Sequence, residues 1–321
     1  MNGDKPLDCL VIGGGPAGLT AAIYLARFHL DILVIDEGKS RAGWIPCTRN
    51  HAGYPDGISG KDLLEKMREQ AQKYGAKILA ERVTKLERDE KSGLFAATWG
   101  SGCVEANSVL LATGVSNRRP PMDEALHDEA LARGLIRYCP ICDGYEVTDK
   151  KVGVIGSDSH GVAEALFIRS YTADVTLIAP DKALKLKAED QQKLKEAQID
   201  CVDGPAQGAA ISAEFIVVDT ADGHYTFDSV YPALGSDTHT QLAEMVGADL
   251  SADDCIRTDS HQRTSVPGLY AAGDVVLGLD QISHAMGEGG VAATTIRNDL
   301  HAKEPRWREP VEAMEEAGSG S

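Results

Sequence analysis

The chain has 321 residues, 43% of them apolar, which is enough for roughly two packed domains. Lys and Arg total 32 against 49 Asp and Glu, a net charge of -17 that repels nucleic acid and anionic membrane and leaves basic protein partners compatible. No apolar run approaches the roughly 20 residues that span a bilayer, and the polar start MNGDKP is unlike a signal peptide, so a cytoplasmic protein is expected.

Residues 8–36 read DCLVIGGGPAGLTAAIYLARFHLDILVID: an apolar run, a glycine-rich turn, a helix-compatible run and a second apolar run, the pattern of a βαβ unit. The turn is Gly13-x-Gly15-x-x-Gly18, with Pro16 and Ala17 leading into the helix. The first glycine permits the tight turn, the second lets backbone approach a pyrophosphate, and the third lets helix pack on strand. Asp36 and Glu37 close the second strand, where a carboxylate can accept from ribose hydroxyls.

The pattern returns at Lys151 as KVGVIGSDSHGVAEALFIRSYTADVTLIAPD, so a second nucleotide-binding fold is expected. A charged helical run follows at 188–198, then the strand-like segments EFIVVDT and HYTFDSVYPALG. In the last third the strand GLYAAG ends at Gly273-Asp274, and the small residues after Gln281 fit a closely packed helix beginning near Ile282.

The seven cysteines are odd in number and scattered, apart from Cys139-Pro140-Ile141-Cys142. That is unlike a secreted disulfide framework. A CxxC beside nucleotide folds reads as a redox pair, in which one thiolate attacks an external disulfide and the neighbour resolves the mixed disulfide. A zinc site would need two further ligands at suitable spacing, and no second CxxC or HxxxH exists, so no metal is expected.

The set GGGPAGLTAA, LLATGV (110–115), CPICDGYE (139–146) and GLYAAGDV with its downstream Gln and GGVAA resembles the low-molecular-weight thioredoxin reductase family over nearly the whole chain. The resemblance implies an α/β protein of two Rossmann-like three-layer domains, the second inserted into the first. An FAD domain would comprise 1–117 plus 248–315, and a second domain carrying the CxxC would comprise 118–247. RRPP (118–121) and GADLSADD (247–254) suit hinges, and 316–321 reads as an added tail. By resemblance Cys142 faces the flavin, Cys139 attacks the external disulfide, and Asp143 protonates the leaving thiolate. FAD would be held by the first loop, Asp36 or Glu37, Asn50, Thr113, Gly114, Gly273, Asp274, Gln281 and Ile282. Tyr138 and Tyr145 flank the CxxC and could stack on flavin or substrate, while Cys47 lies near the expected flavin. His284 and Glu288 share a helix face four residues apart, the spacing of a helix pair. A homodimer is expected from the family alone.

The second loop departs from the family. It reads Gly156-Ser157-Asp158-Ser159-His160-Gly161, with Asp158 where the pyrophosphate-facing glycine belongs. After the next strand comes Asp181, with lysines but no arginine clamp, and an aspartate there repels a 2′-phosphate. Together they argue against the usual NADPH donor, leaving NADPH held by altered contacts, NADH with Asp181 on its ribose, or no nicotinamide at all, the last being the expectation. The last reading resembles thioredoxin reductase-like branches that lack the NADPH determinants, some reduced by ferredoxin and others, diflavin-linked, holding a second FAD in this site. CPICDGYE is also similar to the related dithiol oxidases of the gliotoxin and holomycin type, which pass electrons to oxygen. The sequence therefore reads as an FAD-dependent disulfide/dithiol oxidoreductase exchanging with a thioredoxin-like protein or a small dithiol. The alternatives are a small-molecule dithiol oxidase, an NAD(P)H-dependent thioredoxin reductase, and a non-catalytic flavin redox sensor.

Overall fold

A computed structural model describes residues 5–305 and 307. The expected tail and the last part of the expected FAD-domain segment lie outside the described residues.

Four buried apolar residues form β1 (Cys9–Ile12), and the glycine loop turns the chain into α1 (Pro16–Arg27). Pro16 takes the first helical position, where its missing N–H costs nothing. The first unit continues through β2 (Ile32–Ile35), α2 (Gly60–Lys73) and β3 (Lys77–Leu79). An antiparallel excursion follows, β4 (Lys85–Arg88), β5 (Phe95–Trp99) and β6 (Gly102–Ala106), before β7 (Val109–Leu111) and β8 (Val115–Asn117). The second unit opens with α3 (Glu124–Ala132) and the single turn α4 (Pro140–Asp143). It then repeats strand, helix, strand as β9 (Val152–Ile155), α5 (Ser159–Ile168) and β10 (Val175–Ile178). Next come α6 (Ala188–Glu196), β11 (Asp200–Val202), the meander β12 (Gly208–Ser212), β13 (Phe215–Thr220) and β14 (Gly223–Phe227), and β15 (Ser229–Pro232). The chain returns through β16 (Ser236–Thr238), α7 (Gln241–Met245), β17 (Leu269–Ala271) and α8 (Ile282–Lys303).

Two parallel sheets result, ordered β17-β7-β1-β2-β3 and β11-β10-β9-β15. Every residue of β1 and β9 is buried, as in strands covered on both faces. Equivalent registers anchor the two: Val11 lies opposite Val34 and Leu110, and Val154 opposite Leu177 and Tyr231. Helices α1 and α8 approach closely at Gly289, where a Cβ would stand 2.3 Å from the Ala17 carbonyl.

The chain crosses between units twice, and the crossing strands pair: β8 and β16 are antiparallel, with Asn117 opposite Ser236 and Val115 opposite Thr238. RRPP follows the outward crossing directly. The return differs from the sequence expectation of residue 248. Leu242 and Ala243 of α7 already pack in the first unit's core with Ile256 and Leu269, because α7 buries its apolar face against the antiparallel strands.

Candidate flavin and disulfide site

A cleft of about 1240 Å³ opens beyond the carboxyl ends of β1, β2 and β7 and extends to α4 and the start of α5. Parallel sheets bind ligands at this end. The first loop forms one wall. Gly13 has φ +106°, and a Cβ there would sit 2.2 Å from the Ala112 carbonyl; at Gly18 it would sit 2.0 Å from the Gly13 carbonyl. The first turn of α1 carries no side-chain cap, since Gly15 is its N-cap. Uncapped amides at a helix start attract an anion, so a dinucleotide's pyrophosphate fits here.

The two acids after β2 separate in role. Asp36 is buried against Gly14 and pairs with Arg68 at 3.2 Å, so it braces the loop. Glu37 remains half-exposed on the cleft beside Lys39, 3.2 Å away. On the opposite wall Gly273 has φ +80°, and its N–H donates to Glu288 Oε2 at 2.7 Å. His284 contacts the other oxygen of Glu288 at 3.1 Å, so the helix pair read from sequence exists and fastens the Gly273-Asp274 turn. Burial raises the Glu288 carboxyl above its ordinary range, with the Gly273 amide and His284 opposing.

Asp274 is not an isolated ribityl acceptor. Arg41 pairs with it at 2.5 Å, with Asp280 at 3.0 Å, and donates to Asn117 at 3.1 Å. The Asp280 carboxyl is raised by burial and by Asp274, against the pull of Arg41. Thr113 and Gly114 line the cleft, yet their polar groups serve the inter-unit crossing: Thr113 Oγ1 donates to the His239 carbonyl at 2.7 Å, and Gly114 accepts from the His239 amide at 3.1 Å.

Cys139 and Cys142 form a disulfide in the same cleft. Gln281, the N-cap of α8, reaches both sulfurs at 3.2 Å through Nε2, and Asn50 Nδ2 donates to its Oε1 at 2.9 Å. The first turn of α8, starting at Ile282, lacks a side-chain cap as α1 does. Asp143 accepts from the Tyr231 hydroxyl at 2.8 Å and from Arg137 at 2.9 Å. Burial raises its carboxyl, while Arg137 and Tyr231 oppose that shift.

Tyr138 lines the cleft, but its hydroxyl is taken by His127 Nε2 at 2.7 Å and its ring leans on Trp44. Arg119 lies 4.4 Å from the Trp44 ring centroid, completing an aromatic contact between the units. Tyr145 is 81% exposed and lies outside the cleft lining, which sets it apart from the expected flavin position. Cys47 does line the cleft. Cys9 is a core thiol, its pKa pushed up to about 12 by burial.

The second loop is built differently from the sequence expectation. Asp158 does not stand free in the loop facing a ligand: its carboxylate folds back onto the start of α5. Its Oδ1 accepts from the amides of His160 and Gly161 at 3.0 and 3.1 Å, capping α5 from inside the chain. Gly156 and Gly161 serve packing, since a Cβ on Gly156 would stand 2.8 Å from the Gly161 Cα. Asp181 is exposed in the loop after β10. His160 lines the cleft, and its hydrogen bond to Glu164 raises its pKa.

Sequence reasoning missed Arg41, Arg68, Arg137, Tyr231 and the positioning role of Glu288. An arginine four residues past Glu37, in a chain of net charge -17, was the available signal for Arg41; Tyr231 looked like an ordinary strand aromatic.

This architecture has known relatives. The chain belongs to the pyridine nucleotide-disulphide oxidoreductase family, whose model matches residues 7–289. It is 34% identical to a thioredoxin reductase of Treponema pallidum, over 89% of this chain and 94% of that one. Among solved structures, HlmI superposes with a TM-score of 0.85 at 27% identity, covering 98% of this chain and 96% of that chain. The thioredoxin reductase of Streptococcus pyogenes gives 0.84 at 28% identity, covering 92% and 98%. The expected fold class is thus found, and the protein is a thioredoxin reductase-like, flavin-dependent disulfide oxidoreductase. Among the described residues no helix is long and apolar enough to cross a membrane.

Proposed function

We propose that this enzyme moves electrons between FAD held in the cleft and the Cys139–Cys142 pair, exchanging with a thioredoxin-like protein or small dithiol, without NAD(P)H as the usual donor. The observation that carries the reading is the Asp158 cap. The helix-start amides that would receive a dinucleotide's pyrophosphate already hold a carboxylate, and a second anion there meets like charge. The same cap disfavours a second FAD at α5. Reduced ferredoxin fits the reading as an alternative electron source, and we take the working unit to be a cytoplasmic homodimer with the first domain formed by both ends of the chain.

The pocket residues divide the work. The amides of α1 receive the pyrophosphate, Glu37 a ribose, and the Asp274–Arg41 pair orients the ribityl end, with Asn50, Thr113, Gly114 and the α8 start completing the wall. When bound, FAD supplies two-electron chemistry next to the disulfide. Gln281 spans from the flavin unit to both sulfurs and holds the pair in register with it. Cys139 exchanges with the external partner, Cys142 faces the flavin, and Asp143 handles the proton of the thiolate that leaves.

The deciding experiment is anaerobic. NADPH, NADH, reduced ferredoxin and a dithiol are each mixed with the holoenzyme while the flavin band is followed. The dithiol should bleach it in wild type and leave Cys142→Ser oxidised with flavin still bound. Fast bleaching by NADPH would overturn the donor assignment. In a parallel aerobic assay, oxygen uptake with dithiol alone would favour the small-molecule dithiol oxidase, and a flavin that never turns over would favour a redox sensor.

A further inference from the structure

Among the described residues Tyr231 is the largest fully buried side chain, set on β15 within the apolar cluster of the second unit. A hydroxyl in such a place is costly unless it is hydrogen-bonded. It contacts one residue, Asp143, 2.8 Å from Oδ1. The other carboxylate oxygen receives Arg137 at 2.9 Å, and Arg137 Nε donates in turn to Ser229 Oγ at 3.1 Å. Ser229 and Tyr231 are two residues apart on β15, the strand that closes the second sheet beside β9, so they stand on the same face of one strand. Ser229 is itself fixed by donating to the Gly134 carbonyl. The acid beside the redox pair is thus gripped at both oxygens from one rigid surface.

We propose that Tyr231 and Arg137 are positioning residues that hold the Asp143 carboxyl in its proton-handling orientation and set the pH at which the disulfide opens. This rests on the reading of Asp143 as the acid given above. In the exchange the incoming thiol gives its proton to the Asp143 carboxylate and its sulfur bonds to one cysteine sulfur. The Cys139–Cys142 bond breaks, its electron pair leaves with the other sulfur, and the proton passes to the thiolate that departs. Three ionisable groups face the carboxyl: Arg137, Tyr231 and Glu146, the last 3.7 Å from Arg49 of the first unit. Burial and Glu146 favour the neutral acid; Arg137 and Tyr231 favour the carboxylate that accepts the thiol's proton.

Removing either donor should move the rising limb of disulfide opening to higher pH. The test follows opening itself, by mass after thiol alkylation, as dithiothreitol reacts anaerobically with the holoenzyme from about pH 5 to about pH 9. Flavin bleaching is recorded in parallel. Tyr231→Phe, which keeps the core volume, should shift the half-maximal pH upward by about one unit; Arg137→Gln should shift it the same way, and Arg137→Lys should return it toward wild type. Superimposable profiles for wild type, Tyr231→Phe and Arg137→Gln would overturn the inference. A wild type whose disulfide opens while its flavin stays oxidised would break the electron-flow reading alone, leaving the pH comparison valid.

Discussion

The two units repeat the same strand, loop and helix, yet the starts of their helices are opposite in chemistry. At α1 the N-cap is Gly15 and the first turn has no internal acceptor; at α5 the N-cap is Asp158 and its carboxylate is bound to two amides of that turn. A helix start needs an acceptor from somewhere. The first unit has no side-chain acceptor of its own there, and the second meets the need within the chain. Glycine-rich loops of similar spelling can therefore mean a binding site in one place and a self-contained packing device in another.

The comparison can be broken most forcefully by writing the second loop into the first. Gly15→Asp places a carboxylate where the FAD pyrophosphate is received, at a cost of about 3 kcal/mol, or roughly a hundredfold in affinity. Flavin absorbance per chain after gel filtration should fall accordingly; full retention would mean that α1 does not hold the phosphate. Next in size is Glu288→Ala, which strips the acceptor from the buried Gly273 amide at a cost of about 2 kcal/mol. The dissociation constant for FAD should rise by more than tenfold with the fold intact by circular dichroism. The reverse graft, Asp158→Gly, removes a helix cap and should lower stability by about 1 kcal/mol in urea unfolding. It should also strengthen binding of an added dinucleotide several-fold, read by calorimetry, because the α5 amides are released.

The smallest effect concerns pH. Hydrogen bonding to Glu164 raises the His160 pKa, so the stability this pair contributes is fully present below the unfolded value of about 6.5 and is lost as pH rises through the higher folded value. The melting-temperature gap between wild type and His160→Gln should be widest near about pH 5.5 and narrow by about pH 8.

Both parallel sheets, the paired glycine loops and the CxxC were legible because each depends on local spelling: apolar runs, fixed glycine spacing, cysteines three apart. The roles of Asp36, Thr113 and Asp274 were only half legible. Each was identified as a site residue, but Arg68, His239 and Arg41 decide what its polar atoms do, and these partners come from distant segments. Asp158 shows the limit most clearly. Its charge and its place in the loop are written in the sequence, but the direction of its side chain, back onto its own helix, depends on a backbone geometry that composition does not specify. Tyr231 gave no signal at all, since an aromatic in a strand is ordinary until the fold sets an acid beside its hydroxyl.

The paired crossing strands β8 and β16 carry a mechanical consequence. A single linker pivots in any direction, whereas two strands hydrogen-bonded side by side bend stiffly across their width and yield mainly by twisting. Any reorientation of the disulfide unit against the flavin unit is thereby funnelled into torsion about one short axis. Gln281, which reaches both sulfurs at 3.2 Å, would have to part from them in any such turn.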